Sequence, residues 1–317
     1  MTAIKGFIQP SRRPGELGVH SVDQFHFVVP DLAVAQNFYG EFGLDIGTKD
    51  NLLTVRTFGH PHTWGTIGEG SGKKFGFISF GAFEDDIDRF AARLQAIGIP
   101  RLDPPPGIDS NGLWFRAPDG VLVEIKVAAK TSPDEKSRFA TTSAPPGQRG
   151  APFRSAIPRT QPRRLSHVLL FTPNVRQAIA FYTQVLGLRV SDHSGDNIAF
   201  LHGIHGSDHH MFALARSEAP GLHHFSWDVG SVDEIGAGAT HMLERGFAKG
   251  WGLGRHVLGS NYFHYVRDPW GSYSEYSADI DYIPSTCDWA GGDQPEADSF
   301  YAWGPNVPED FVQNFEA

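Results

Sequence analysis

Residues 22–46 read VDQFHFVVPDLAVAQNFYGEFGLDI, and residues 165–190 read LSHVLLFTPNVRQAIAFYTQVLGLRV. Both stretches follow one plan: a short apolar strand, a Pro-Asp or Pro-Asn helix start, an amphipathic helix, and Gly-Leu as the stop. Pro30 aligns with Pro173, and a Phe-Tyr pair follows at the same distance in both copies. The chain therefore contains an internal repeat, and the repeat determines the fold.

The later parts of the two halves also match. WFRAPDGVLVEIK, residues 114–126, corresponds to YVRDPWGSYSEYS, residues 265–277, so that Glu124 aligns with Glu275. In each, a turn containing Pro and Gly joins two alternating segments, which indicates a hairpin. Between the matched parts, each half has a further strand followed by a helix. We therefore predict an α+β protein of two tandem domains, each with two strand-helix-strands units.

The repeat also sets the predicted domain boundaries. A first domain spans 1–130, a linker rich in Ser, Pro, Thr and Arg spans 131–163, a second domain spans 164–283, and a tail spans 284–317. Two domains agree with a length of 317 residues, because domains mostly run to roughly 100–200 residues.

Composition excludes several classes of function. The net charge is −9 with no extended Lys/Arg block, which argues against nucleic acid as a partner. No apolar run approaches the roughly 20 residues of a membrane helix, and the N-terminus lacks the apolar core of a signal peptide. The single cysteine, Cys287, fits a reducing compartment, so we expect a cytoplasmic protein.

GLHHFSWDV, residues 221–229, places two histidines side by side in an apolar strand. Because alternate side chains of a strand point to opposite faces, His223 and His224 should face different ways. We expect His223 on the packed face, with Phe225 and Trp227, and His224 on the wetter face.

Superposition of the repeats shows what the second copy has and the first lacks. The second carries His167, His224 and Glu275, whereas the first has Gln24 and Gly76 and retains only the glutamate. Two imidazoles and one carboxylate, with other positions open, form the ligand set of non-haem Fe(II) oxygenases. A single strand histidine is more often a core residue than a ligand, so the hypothesis depends on the joint placement of the three. The hypothesis implies that the first half of the chain binds no metal.

The stretch GRHVLGSNYFHYVRDPWGSYSEY, residues 254–276, together with LSHVLLF and LHHFSW, resembles the vicinal-oxygen-chelate superfamily. Within it, these stretches resemble the two-domain extradiol, catechol 2,3-type ring-cleavage dioxygenases. The resemblance implies four βαβββ modules, two per domain, with each pair curling a mixed sheet into an open barrel, the glyoxalase/dihydroxybiphenyl dioxygenase-like fold. It also implies that His167, His224 and Glu275 are the metal ligands.

Further site residues follow from the same resemblance. HMFAL, residues 210–214, matches a family strand that places the acid–base group at His210, with its neighbour His209 as the alternative if the register slips by one. His256 and Tyr265 match residues that bind substrate and assist catalysis. Aromatic residues near these positions are candidates for the substrate pocket: Phe200 and Trp251, and further Phe212 and Tyr262.

The function implied is cleavage of an aromatic ring next to two adjacent hydroxyls (meta cleavage), with both atoms of O2 entering the product, in the degradation of aromatic compounds. The expected cofactor is Fe(II), with Mn(II) as the alternative, and the expected partner is a small aromatic diol. We also expect a homo-oligomer and no membrane. Catechol, an alkylcatechol, a biaryl diol and a trihydroxybenzene would need the same ligands, so the sequence leaves the choice open.

Four other interpretations of the sequence are the alternatives to a dioxygenase. A glyoxalase-like isomerase would need an extra carboxylate ligand and would give His210 and Tyr265 no purpose. A hydroxyphenylpyruvate-type oxygenase shares the ligands but lacks the pair of His256 and Tyr265. A metal-free binding protein would not keep the three ligands together, and an unrelated β protein explains none of the spacing.

Overall fold

The computed structural model describes residues 10–141 and 143–317, so the first nine residues of the predicted first domain and Thr142 of the predicted linker lie outside it. Each half of the chain forms one curled, mixed β-sheet with helices on its outer side. The first sheet uses strands between residues 21 and 127, and the second uses strands between residues 164 and 303.

The strands and helices of the described residues have the following bounds: β1 Ser21–Val29, α1 Leu32–Glu41, β2 Asp45–Lys49, β3 Leu52–Arg56, β4 Thr63–Glu69, β5 Lys74–Ala82, α2 Ile87–Ala96, β6 Leu113–Arg116, β7 Leu122–Val127, β8 Arg164–Thr172, α3 Val175–Leu186, β9 Arg189–Ser194, β10 Ile198–His202, β11 Ser207–Asp208, β12 Phe212–Arg216, β13 Gly221–Asp228, α4 Val232–Glu244, β14 Gly250–His256, β15 Tyr262–Arg267, β16 Tyr273–Ala278, β17 Tyr282–Ile283 and β18 Tyr301–Trp303. Three short 3₁₀ turns complete them, at Glu84–Asp86, Arg154–Ala156 and Glu296–Asp298.

The strand order confirms the predicted modular fold. The first sheet runs β2-β3-β4-β1-β5-β7-β6, and the second runs β18-β14-β15-β16-β13-β8-β12-β10-β9. In each sheet two modules meet at an antiparallel pair, β1 with β5 and β8 with β13. Within the modules the outer partners are parallel, as in β8 with β12 and β13 with β16. This arrangement brings the first strands of the third and fourth modules together at the centre of the second sheet.

Two features of the structure do not follow from the sequence repeat. In the second module, an isolated bridge between Leu102 and Trp114 stands where the other modules have a full strand. The C-terminal segment, which the sequence left as a separate tail, contributes β18 to the edge of the second sheet through pairing with β14. The tail therefore belongs structurally to the half that carries the candidate ligands.

The helix ends follow the sequence signals. Asn174 caps α3 by accepting a hydrogen bond from the backbone N–H of Gln177, and Ser231 does the same for Glu234 in α4. Gly187 ends α3 with a φ of +72°. A Cβ there would lie 2.3 Å from the Leu17 carbonyl oxygen, so glycine serves both the left-handed turn and a close approach.

The two sheets share one hydrophobic core. Phe25 of β1 stacks on Phe225 of β13 with 3.8 Å between ring centroids, and Trp227 lies against the same ring. Buried residues of both halves form a single apolar cluster. None of the helices in the described part of the chain has the length and apolar character needed to cross a lipid bilayer.

Candidate metal centre and active site

Three donor atoms converge inside the second sheet. Ser226 of β13 lies opposite His167 of β8 on one side and opposite Glu275 of β16 on the other. His224, two residues earlier on β13, shares that face. The Nε2 atoms of the two histidines are 3.1 Å apart, and the Glu275 Oε2 atom lies 3.3 Å from His167 Nε2 and 3.6 Å from His224 Nε2.

These separations fit a single divalent ion. Two ligands about 2.0–2.2 Å from one ion lie about 3–3.5 Å apart. Glu275 Oε2 is buried and accepts no hydrogen bond among the described residues, which is costly for an anionic oxygen unless a cation compensates it. Burial also lowers the pKa of His224 well below its ordinary value, which favours the neutral, metal-binding imidazole. Within residues 10–141 and 143–317, His167, His224 and Glu275 form the one cluster with this geometry.

The other ring nitrogens of both histidines are also engaged. Ser166 donates its hydroxyl proton to Asp208 at 3.0 Å, which leaves its oxygen free to accept from His167 Nδ1 at 3.3 Å. His224 Nδ1 lies 2.6 Å from His223 Nδ1. Such partners on the far side of a ring fix its tautomer and leave the Nε2 lone pair for a metal.

The prediction that His223 faces the packed side of β13 is wrong. The pairing of β13 with β8 shifts register between Leu222 and His224, so His223 sits in a β-bulge. A bulge breaks the alternation of faces. His223 therefore lines the same cavity as His224, and its Nε2 donates to the Phe311 carbonyl at 2.9 Å.

A cavity opens beside the three donors. Its histidine and tyrosine walls come from β8, β13, β14 and β15 and from the loop before β12: His167, His210, His223, His224, His256 and Tyr265. Its apolar walls come from β8, β10, β12 and the loop after β14: Leu169, Ile198, Phe200, Ala215 and Leu258. The tail covers it with four further residues: Ser299, Phe300, Phe311 and Val312.

His210 lies directly beside the candidate metal centre. Its ring centroid is 4.1 Å from that of His167 and 4.7 Å from that of Phe200. Burial, with the adjacent imidazole of His167, lowers the pKa of His210 well below its ordinary value. Its Nδ1 lies 3.0 Å from His209 Nδ1, whereas no described residue hydrogen-bonds to its Nε2. His210 is therefore a neutral imidazole with one nitrogen free.

His256 and Tyr265 form a hydrogen-bonded pair on another wall. His256 Nδ1 donates to the Phe300 carbonyl at 2.8 Å, so the neutral ring accepts at Nε2 from the Tyr265 hydroxyl at 2.9 Å. Burial and the nearby Glu275 carboxylate raise the pKa of Tyr265 well above its ordinary value. Tyr265 therefore keeps its proton and can donate it in a hydrogen bond.

Both halves of the chain match one family model, described as the Glyoxalase/Bleomycin resistance protein/Dioxygenase superfamily, over residues 21–125 and 164–276. The chain belongs to this superfamily. It is 51% identical to metapyrocatechase 2 from Cupriavidus necator over 308 residues, which cover 97% of this chain and 96% of that protein.

Solved structures show the same architecture. The Mn(II)-bound glyoxalase from Novosphingobium aromaticivorans is 25% identical, with a TM-score of 0.74, and the alignment covers 92% of this chain and 93% of that one. An extradiol ring-cleaving dioxygenase from B. fuscum is 20% identical, with a TM-score of 0.73 and coverage of 95% and 84%. The family match and the 51% identity to metapyrocatechase 2 confirm the predicted membership of the vicinal-oxygen-chelate superfamily and its two-domain extradiol branch.

Of the residues predicted for the pocket of this superfamily member, Phe200, His256 and Tyr265 line the cavity. His209 lies behind His210, and Trp251 stacks on the far side of Tyr265 with 5.7 Å between centroids.

The two further pocket candidates also lie elsewhere: Phe212 packs in the shared core, and Tyr262 stacks on Phe139. Sequence reasoning missed Leu169 and Ile198, although each lies two residues from a predicted site residue and so shares its strand face. It also missed the tail residues, for which no strand period gives a signal.

The first sheet shows the corresponding place without the two histidines. Gln24 pairs with Ser79 in the register in which His167 pairs with Ser226, so the equivalent of His224 is Phe77. The predicted equivalent, Gly76, is wrong by one position because Gly76 is the residue that the β1–β5 register shift skips, as His223 is in the second sheet.

Proposed function

We propose that this protein is an extradiol dioxygenase that cleaves a catechol-type ring beside its two hydroxyls and adds both atoms of O2. The convergence of His167, His224 and Glu275 next to His210 in one aromatic-walled cavity carries the proposal. The similarity to metapyrocatechase 2 over nearly the whole chain supports it.

His167, His224 and Glu275 would hold the metal, which we propose to be Fe(II), with Mn(II) as the alternative because the two ions take similar ligands. Such an ion, when bound, supplies positions for the diol oxygens and O2 and a route for electrons between them. Asn261 donates to Glu275 Oε1 at 3.1 Å, which orients the carboxylate so that Oε2 faces the two imidazoles.

His210 is the group that moves the proton in this proposal. Its Nε2 has no hydrogen-bond partner among the described residues, and the residue lines the cavity, so Nε2 can accept the proton of a diol hydroxyl and return it later. A neutral imidazole with a free ring nitrogen has the lone pair that the first step needs and can release the proton again in the second.

Tyr265 and His256 orient the substrate. The Tyr265 hydroxyl donates to His256 Nε2, and rotation of this hydroxyl would let it donate to a substrate oxygen instead. His256 is fixed by the Phe300 carbonyl on its other nitrogen. Leu169, Phe200 and Leu258 supply apolar walls that exclude water from the ring.

An isomerase of the glyoxalase type is less well supported. The cluster of ligand atoms in the described residues contains one carboxylate, from Glu275, and no second one within reach. His210 and the His256–Tyr265 pair would also have no task in an isomerisation.

The test is turnover of catechol in air by full-length protein loaded anaerobically with Fe(II), in parallel with protein loaded with Mn(II). We expect a yellow ring-fission product and uptake of one O2 per diol. His210→Phe should still bind the metal but lose roughly 10²–10⁴-fold in kcat, the usual contribution of a proton-transfer group. Near-native turnover by H210F would remove His210 from this role. Silence of the native protein on all diols, with turnover of a dicarbonyl–thiol adduct instead, would favour the isomerase.

A further inference from the structure

Behind His210 lies a buried chain of side chains that the proposed mechanism does not use. His209 Nδ1 is 3.0 Å from His210 Nδ1, and His209 Nε2 is 2.9 Å from Asp192 Oδ2. The side chains of His209 and Asp192 are 1% and 7% exposed. A carboxylate, an outer imidazole and an inner imidazole thus run from β9 to the wall of the cavity.

The chemistry of the acceptor determines every proton position along this chain. Burial alone would raise the pKa of Asp192, but the hydrogen bond from His209 and others from the tail outweigh it and lower the pKa to about 2. The carboxylate is therefore ionised and can only accept. His209 must donate from Nε2, and when its ring is neutral its lone pair is on Nδ1. His210 must in turn donate from Nδ1, which leaves the lone pair on its Nε2.

The tail holds Asp192, the outermost of these hydrogen-bonded side chains, in place. Asp192 accepts from Trp289 Nε1 at 3.2 Å, from the Gly292 backbone N–H at 3.1 Å and from Gln294 Nε2 at 2.8 Å. With His209 these donors occupy both carboxylate oxygens. The Ser191 hydroxyl also donates to the His209 carbonyl, so the backbone of the outer histidine is fixed as well.

We propose that Asp192 and His209 are positioning residues that hold His210 in the Nδ1–H tautomer, so that Nε2 is the atom that accepts the substrate proton. The inference rests on the proposed function for the role of His210. The proton from the diol hydroxyl goes to His210 Nε2, the Nδ1 proton stays where it is, and the positive charge that develops on His210 is balanced through His209 by Asp192. Other imidazoles surround His210 on the cavity side, at His167, His224 and His256, and they offer no such balance.

The first test measures the tautomer without using activity. The full-length protein is labelled with ¹⁵N-histidine and loaded with Zn(II), a diamagnetic ion that takes the same types of ligand. Nitrogen–proton correlation spectra distinguish protonated from unprotonated ring nitrogens. We expect His210 to carry its proton on Nδ1 in the native protein, and to lose this single tautomer in Asp192→Asn, whose amide can offer His209 a donor instead of an acceptor. A native His210 protonated on Nε2, or a tautomer unchanged in D192N, would overturn the proposal.

The second test separates positioning from folding by kinetics. Asp192→Asn and His209→Phe should each lower kcat by roughly 10–100-fold, the range for partners that orient a site residue, with KM and bound metal nearly unchanged. His193→Phe is the matched control, because His193 follows Asp192 on β9 and contacts the tail through Asp293 but does not touch His209. Equal losses in H193F and D192N would reduce the effect to packing and contradict the proposal.

A third test, with two further variants, covers the case in which D192N does not fold. Gln294→Ala and Trp289→Phe each remove one donor to Asp192 from a partly exposed tail, and each should give a smaller fall in kcat in the same direction. If the native protein cleaves no diol, the proposed function fails, while the tautomer spectra still decide whether Asp192 controls His210. If the native protein is active and these variants equal it, the positioning role alone is refuted.

Discussion

Glu275 and Glu124 occupy the same place in two similar sheets but have different surroundings. Glu275 Oε2 faces the Nε2 atoms of His167 and His224 and accepts no hydrogen bond from any residue that the structure describes. Both oxygens of Glu124 accept from serine hydroxyls, those of Ser79 and Ser110. A carboxylate satisfied by neutral donors needs no cation, whereas one that faces two imidazole lone pairs does.

Replacing each glutamate by glutamine therefore gives a matched pair. Glu275→Gln removes the only anionic donor of the cluster, so we expect bound Fe(II) or Mn(II) to fall far below one per chain after gel filtration. Glu124→Gln should retain the native metal content, since its sheet has glutamine and phenylalanine where the second has histidines. Metal analysis of both variants checks this, and equal metal loss in the two would contradict the site.

At the level of single residues, the sequence alone grouped the three side chains whose donor atoms converge in the structure. The repeat and the alternation of strand faces were enough to group His167, His224 and Glu275, because strands keep a strict period of two. The same rule failed at His223 and Gly76. Both lie at register shifts of the sheet, and a bulge inserts one residue without leaving a clear mark in the sequence.

The bulge in β13 also determines which ring nitrogen of His224 carries the proton. It turns His223 into the cavity, where the ring links His224 Nδ1 to the Phe311 carbonyl of the tail. Because that carbonyl can only accept, His223 fixes His224 with its proton on Nδ1 and its lone pair on Nε2.

His223→Phe keeps the ring volume but removes both hydrogen bonds. We expect the Kd for the metal to rise by roughly 10–100-fold, as for other partners that orient a metal-binding histidine, while the midpoint of unfolding of the metal-free protein changes little. Competition with a chromogenic chelator measures the Kd. His241→Phe on α4, a histidine remote from the cavity that pairs with Glu41, is the control and should bind metal as the native protein does.

The tail acts as a packed element of the second domain. Phe311 is 3% exposed and lies among Trp251, Tyr265 and Tyr273, with its centroid 4.8–5.0 Å from theirs. The sequence showed that the tail is aromatic, but not where it packs. Its position depends on long-range contacts, such as the bonds from Phe75 and Leu222 to Glu316, that no local pattern encodes.

Phe311→Ala should lower the free energy of unfolding by about 3–5 kcal/mol, the usual cost of removing a buried phenylalanine ring. Phe153→Ala, at a linker residue that is 65% exposed, should change it by less than about 0.5 kcal/mol. Urea denaturation of both variants measures the difference. A loss in F311A as small as that in F153A would mean that the tail is not packed on the site in solution.

The whole molecule is held together by more than the linker. The stacked rings of Phe25 and Phe225 join the two sheets at the centre, and Arg93 of α2 donates to the Val185 carbonyl of α3 at 3.1 Å. In the part of the chain that the structure describes, the first sheet has no ligand set of its own, but it covers the back of β13, the strand that presents His224. A half without the candidate ligands thus supports the shape of the half that has them.

A buried ion pair between the halves makes this coupling measurable. Lys73, just before β5, contacts Asp268 in the β15–β16 turn, and their side chains are 3% and 1% exposed. Tyr39 donates to the same carboxylate at 3.3 Å. The backbone N–H groups of Trp270 and Ser272 also donate to Asp268, at 2.9 and 3.1 Å, so the turn is built around this anion.

Lys73→Met removes the cation and leaves the Asp268 carboxylate buried without its charge partner, which typically costs about 3–5 kcal/mol. Because the carboxylate organises a turn of the second domain while the lysine belongs to the first, we expect both halves to lose stability together, in one cooperative transition at a lower midpoint. Calorimetry checks this, with Lys74→Met as the control: Lys74 is the next residue, its side chain is exposed, and its loss should leave the midpoint nearly unchanged. Two separate transitions in K73M, with only the first domain destabilised, would show that the halves fold independently and that the shared core does not couple them.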